Sequence, residues 1–297
     1  MIRNAVELNE VCAALRAGGL AALDTEFVWR STNRPKLALV QLGATDGTSW
    51  AVDCLLALDT APLADLLRDA GTVKVLHDAH QDLDHLFHYT GAKPVNVFDT
   101  QLAAAFAGLP AGLSLQKLLQ ETVDVGLAKT ETTTDWMQRP LTDAQVAYAL
   151  DDVRYLGEAR AELLTRVDAL GTRAWLDAEM ARYDDPALYG DPDPATVWTR
   201  VKCGRVHLDR RGLSFLRALA AVRELRAREW NLPKALAFTG RSIERLRRRY
   251  GAFRSFDSWY LDYEIYLRWG EEAEQMAELY RGVTAYCHCL LYTSPSP

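Results

Sequence analysis

The chain has 297 residues, 49% of them hydrophobic and 25% charged, with a formal net charge of −6. These values match a soluble globular chain and exclude a disordered or collagen-like one, and at roughly 150 residues per domain they suggest about two domains. No run approaches the ~20 consecutive apolar residues of a bilayer span, so no membrane partner is expected.

Residues 5–18 carry Val6, Val11, Ala14 and Leu15 near helical spacing, and Gly18-Gly19 ends that helix. The apolar run 20–27 predicts a buried strand. Residues 36–44 and 49–54, joined across TDGT, predict a hairpin. A short helix over 61–70, a strand over 72–79 and a helix over about 80–90 follow. Next come a strand over 94–100, helical stretches over about 100–107 and 114–121, and a long helical pattern over 141–170 with one break. Three early strands with antiparallel connections, then two alternating with helices, make a mixed five-stranded α/β sheet flanked by helices. Pro, Asp and Gly mark residues 186–196 as a linker. Residues 197–232 have only helical patterning.

Charge is divided along the chain. Residues 1–199 hold 16 Lys/Arg against 29 Asp/Glu, residues 200–254 hold 16 against 4, and residues 255–297 hold 2 against 7. An acidic first domain beside a basic segment suggests that the second part attracts phosphate backbones. The N-terminal segment carries acids and lacks an apolar core segment, so no signal peptide is expected. Cysteines 12, 54, 203, 287 and 289 form no disulfide framework, which points to a reduced, cytoplasmic protein.

Acids inside apolar strands are informative, because a buried carboxylate is costly without a partner. Asp24 and Glu26 end the first strand, two residues apart and therefore on one face. Asp82 follows the fourth strand in HDAHQDLDHL. Tyr148 and Asp152 stand four apart in YALDDVRYL, on one helical face. Brought together, these residues offer oxygen ligands suited to Mg²⁺ or Mn²⁺, plus a phenol. Two such ions can activate a water and stabilise the leaving oxygen of a phosphodiester. His77, His80, His85 and His88 fit no standard zinc spacing.

The segments DTEFVWRSTNRPKLALVQL, HDAHQDLDHL, FDTQLAAAF, KTETTTDWMQRPLT and YALDDVRYL, in that order, resemble the ribonuclease D family, the tyrosine-bearing DEDD 3′–5′ exonucleases. The resemblance covers about residues 1–185 and implies a ribonuclease H-like fold. It implies metal ligands Asp24, Glu26, Asp82 and Asp152, two divalent ions, and Tyr148 as the group that positions the attacking water. Phe27 is a candidate stacking surface for the terminal bases. Asp84 and Asp151 adjoin the motif positions without occupying them. The implied activity is trimming of RNA from the 3′ end, with precursor tRNA and other small structured RNA as substrates, by a chain expected to be monomeric. A DNA exonuclease and a non-catalytic nucleic-acid-binding module are the alternatives.

Residues 197–234 resemble the start of a helical HRDC domain through Trp198, Lys202, the Leu213–Leu216–Leu219 series and Asn231-Leu232-Pro233. Lys202, Arg205 and Arg210 are candidate phosphate contacts. The family pattern stops after Lys234, and the ending CLLYTSPSP reads like translated sequencing adapter. Residues 235–297 are therefore expected to be a frameshift or assembly artefact, and the HRDC-like domain to be incomplete.

Overall fold

The computed structural model describes residues 1–28, 32–127, 134–201, 217, 220–221, 223–225, 227–229 and 231. The Leu213–Leu216–Leu219 series, Lys202, Arg205, Arg210 and the whole of 235–297 lie outside the described residues. The described residues fall into two compact units. One comprises 1–28 and 35–190; the other contains Thr32–Arg34 and the described residues from Asp191 on.

The first helix, α1 (Ala5–Gly18), starts where the Asn4 side chain accepts from the Glu7 amide at 2.9 Å and stops at Gly19, whose φ of 70° favours glycine. Its buried stripe is Leu8, Cys12 and Leu15. Val6, expected on that stripe, is 68% exposed, because residues at 8, 12 and 15 set a helical phase that turns it outward.

Strands β1 (Leu20–Val28), β2 (Lys36–Gly43) and β3 (Ser49–Asp53) form an antiparallel meander. Strands β4 (Val73–Leu76) and β5 (Val97–Asp99) add in parallel on the other side of β1, giving the order β3-β2-β1-β4-β5. The parallel joins are made through α3 (His80–Thr90) and, between β3 and β4, through α2 (Ala61–Arg68). Both predicted parallel strands are shorter than the sequence runs that announced them, since most flanking residues turn away into loops and Thr100 opens the following helix.

Alternation along β1 sends Ala21 and Leu23 into a core shared with α1, α2 and α3. Leu20 and Ala22 face the second core, built on α4 (Thr100–Phe106), α5 (Leu115–Val123), α6 (Asp143–Arg154), α7 (Leu156–Leu170) and α8 (Arg173–Met180). The long pattern over 141–170 breaks at Tyr155, between α6 and α7. Helix α6 begins in a capping box in which Thr142 and Gln145 satisfy each other's backbone amides. It then crosses β1, β2 and β3. Gly43 permits that approach: a Cβ there would lie 2.9 Å from the Val153 carbonyl oxygen. Among the described residues no helix is long and apolar enough to cross a membrane.

In the second unit, a 3-10 turn spans Val197–Arg200, and the Arg217 guanidinium lies 5.7 Å from the centre of the Trp198 ring. The Asn33 amide donates to the side chain of Asn231 at 3.2 Å, and Arg228 pairs with the buried Glu224 at 2.9 Å.

Candidate active site

Asp24 and Glu26 continue the Leu20–Ala22 face of β1, towards α6. A register shift between Glu26 and Phe27 follows at once. Such a bulge ends regular pairing and re-aims the next side chain. Helix α6 brings Asp152 over the strand, and one carboxylate oxygen each of Asp24, Glu26 and Asp152 lie within 4.8 Å of one another. Among the described residues this is the one group of His, Cys, Asp or Glu close enough to hold a metal ion; the four histidines around the second motif stand outside it.

Asp82 also stands outside that group. It lies in the first turn of α3, buried, with Oδ1 accepting the hydroxyl of Thr25. Thr25 sits between the two strand acids and points to the opposite face, so Asp82 reaches the site from the other side of β1. Its charge still acts on Asp24 and Glu26. The start of α3 is held by Asp99, whose carboxylate accepts from the amides of Asp78 and Ala79 at 3.1 Å each and from the Tyr183 hydroxyl at 2.7 Å.

The carboxyls of this cluster resist ionisation. Burial first, then Asp82, Asp152 and Glu26, raises Asp24 well above the ordinary range. Burial, then Asp152 and Asp82, lifts Glu26 to about 8. Burial and the neighbouring Asp151 take Asp152 to about 7, while burial takes Asp82 to about 6 against the lowering effect of Thr25. Like charges this close are stable together only around a cation. An oxygen-only donor set of this kind suits a hard divalent ion, so the residues present fit the group that the motifs imply. Asp84 and Asp151 are otherwise engaged: Asp151 pairs with Arg154 at 2.7 Å and Asp84 lies 3.6 Å from His88.

Tyr148 stands one turn before Asp152 on α6, and burial with the nearby carboxylates pushes its phenol up to about 12. Its ring lies 6.3 Å from that of Trp136, which is buried against Ala38, Leu39 and Ala149. The loop carrying Trp136 is tied to the sheet by Arg139. That guanidinium contacts both oxygens of Asp53 at 2.7 and 2.8 Å and also donates to the carbonyls of Trp136 and Ala38. Phe27 is half-buried, with its ring centre 4.1 Å from that of His85. Thr25, Asp99, Trp136 and the Asp53–Arg139 pair were not singled out as site residues by sequence. An acid such as Asp53 at the end of an apolar strand was the available signal.

A 3′–5′ exonuclease family model matches residues 1–168. Ribonuclease D of Desulfotalea psychrophila is 42% identical over 212 residues, which cover 71% of this chain and 56% of that protein. The match thus spans little more than half the relative's length. The crystal structure of Escherichia coli RNase D superposes with a TM-score of 0.76 at 29% identity, over 99% of this chain and 75% of that one. Brucella melitensis NrnC with bound Mg²⁺ matches with a TM-score of 0.51 at 27% identity, over 57% of this chain and 84% of that one. With the mixed sheet and the acidic cluster already in place, these similarities show that the chain belongs to the 3′–5′ exonuclease family.

Proposed function

We propose that the chain is a divalent-metal-dependent 3′–5′ exoribonuclease that hydrolyses RNA from its 3′ end and releases 5′-nucleoside monophosphates. The observation that carries this is the convergence of Asp24, Glu26 and Asp152 within 4.8 Å, with Tyr148 one helical turn away. Asp24, Glu26 and Asp152 would hold one Mg²⁺ or Mn²⁺, and Asp24 with Asp82 a second. Bound divalent ions supply a water of lowered pKa and neutralise charge on the leaving oxygen.

The chain's own residues do the rest. Burial, ahead of the nearby carboxylates, raises the pKa of Tyr148 and so favours the protonated phenol, whose hydroxyl can orient a water by hydrogen bonding. Thr25 fixes one oxygen of Asp82 and leaves the other for the site. Phe27, braced by His85, presents a ring on which a terminal base can stack. In-line attack by water needs no covalent intermediate and hence no Ser or Cys nucleophile.

The choice of RNA is supported by similarity to proteins named ribonuclease D, one of them described as an exoribonuclease involved in structured RNA processing. Precursor tRNA and other small structured RNA are the substrates we propose within that class. The second unit is proposed to assist RNA binding. The scatter of the five cysteines along the sequence is the reason for proposing a reduced, cytoplasmic setting.

Chromatography of the products from RNA and DNA oligonucleotides tests the proposal. Accumulation of nucleoside 5′-monophosphates from RNA, dependent on Mg²⁺ or Mn²⁺, is expected. Mononucleotides from DNA alone would move the assignment to a DNA exonuclease, and binding without products would leave a nucleic-acid-binding module.

A further inference from the structure

Gln41 is completely buried in the middle of β2, and neither its amide nitrogen nor its amide oxygen has a hydrogen-bond partner among the described residues. The other polar side chains buried as whole residues are partnered, although single buried atoms of the half-buried Asn33, Tyr89, Arg160 and Arg223 also have no partner among the described residues. Lys74 donates to the carbonyls of Asp69 and Thr72 at 2.7 and 2.8 Å, Thr100 donates to the carbonyl of Leu76 at 3.0 Å, and Gln145 completes the cap of α6. A buried amide without a partner is costly, and a methionine or leucine of similar size would avoid that cost.

The position of Gln41 says what the amide is for. In the β1–β2 register Gln41 lies directly opposite Asp24. Directly opposed residues of an antiparallel pair share a face, with Cβ atoms roughly 4.5–5.5 Å apart. The next residues on that face of β2 are Leu39, opposite Glu26, and Gly43, opposite Ala22. Leu39 packs with Ala149, and Gly43 lies under Val153. Gln41 is therefore roofed by the turn of α6 that carries Asp152, with Asp24 beside it.

We propose that Gln41 is a positioning residue for the metal ligands. Its Nε2–H donates to the carboxylate of Asp24 in the metal-bound site, and so turns the other Asp24 oxygen towards Glu26 and Asp152. This rests on the metal-dependent assignment above and names a residue that acts through a ligand rather than on substrate. Hydrogen bonds that orient a metal ligand typically carry about 10- to 100-fold in metal affinity.

The test uses the full chain and Mn²⁺, titrated by calorimetry and by water-proton relaxation, with Gln41→Met keeping length and apolar packing. Mn²⁺ binding weakened about 10- to 100-fold is expected, in a variant whose melting temperature in EDTA equals or exceeds that of the native chain. A merely structural amide would leave Mn²⁺ affinity unchanged. Should Gln41→Met not fold, the side-chain amide protons of Gln41 in the native chain are followed by NMR. A downfield shift and slowed exchange on adding Mg²⁺ are expected. Unchanged Mn²⁺ affinity in the folded variant, or amide protons indifferent to Mg²⁺, overturns the assignment alone. A native chain that binds no Mn²⁺ overturns the metal assignment, and the role of Gln41 with it.

Discussion

Thr25 donates its hydroxyl to Asp82, so the residue between the two strand acids fixes the third acid from the opposite face of β1. The same oxygen lies 3.2 Å from Nδ1 of His85, whose ring is kept neutral near neutral pH by burial, which lowers its pKa to about 4. One hydroxyl thus links the strand, the helix of the second motif and the ring behind Phe27.

Thr25→Val keeps the shape and removes the hydroxyl. A hydrogen bond to a charged group is worth about 1.5–3 kcal/mol, so kcat/KM is expected to fall about 10- to 100-fold and the metal concentration for half-maximal rate to rise. Thr25→Ser should recover most of the loss. Steady-state kinetics across a metal titration check both.

The carboxyl cluster makes the metal-free protein sensitive to alkali. A carboxyl whose folded pKa is raised holds its proton in the folded state after the unfolded chain has released it. Stability present below about pH 4 is therefore lost as pH rises, until the folded pKa is passed. With Asp82, Asp152 and Glu26 at about 6, 7 and 8, the loss accumulates up to about pH 8. In EDTA the melting temperature should fall between pH 5 and 8.5, and Mg²⁺ should restore it at the upper end. Asp24→Asn, which removes one charge from the cluster, should raise the metal-free melting temperature at pH 8. Calorimetric scans over that range provide the check.

Arg139 and Asp53 hold the loop that carries Trp136. Breaking such a pair leaves Asp53, whose side chain is 5% exposed, as a buried charge, at a cost of about 3–5 kcal/mol. Arg139→Ala is expected to lower the denaturant midpoint by that equivalent and to reduce kcat through Trp136 and Tyr148. Asp53 is held below its ordinary pKa by its hydrogen bonds to Arg139, so this contribution is present above about pH 4 and is lost as pH falls through the folded value. Denaturant titrations at pH 7 and pH 3 should show a smaller difference between native and variant chains at the lower pH.

Asp24→Ala and Tyr148→Phe should differ in kind. The first removes a ligand from the cluster, and cleavage is expected to vanish while RNA binding in Ca²⁺ largely persists. The second removes one hydrogen bond to water, worth about 0.5–1.5 kcal/mol, and a loss of about 2- to 10-fold is expected. Single-turnover cleavage beside filter binding separates the two outcomes.

The site's side chains were legible where local pattern and chemistry coincide. Asp24 and Glu26 interrupt an apolar strand, and Tyr148 and Asp152 share a helical face, so spacing alone placed each pair. Their meeting depends on sheet order and on Gly43 admitting α6, which no local pattern records. Asp82 lies outside the three-carboxylate group because it comes from the opposite side of β1, where Thr25 holds one of its oxygens, a contact between residues 57 apart in sequence. Asp99 and Arg139 act the same way, through loops joined across the fold. The outward turn of Val6 is the opposite case, a local pattern read with the wrong phase.

The most direct test of the central claim follows 5′-labelled single-stranded RNA, with a free or a blocked 3′ end, in Mg²⁺ or Mn²⁺ and then in EDTA. Stepwise shortening that requires both the divalent ion and the free 3′-hydroxyl is the predicted result. RNA whose length is unchanged under every condition, or cut internally whether or not its 3′ end is blocked, would contradict it.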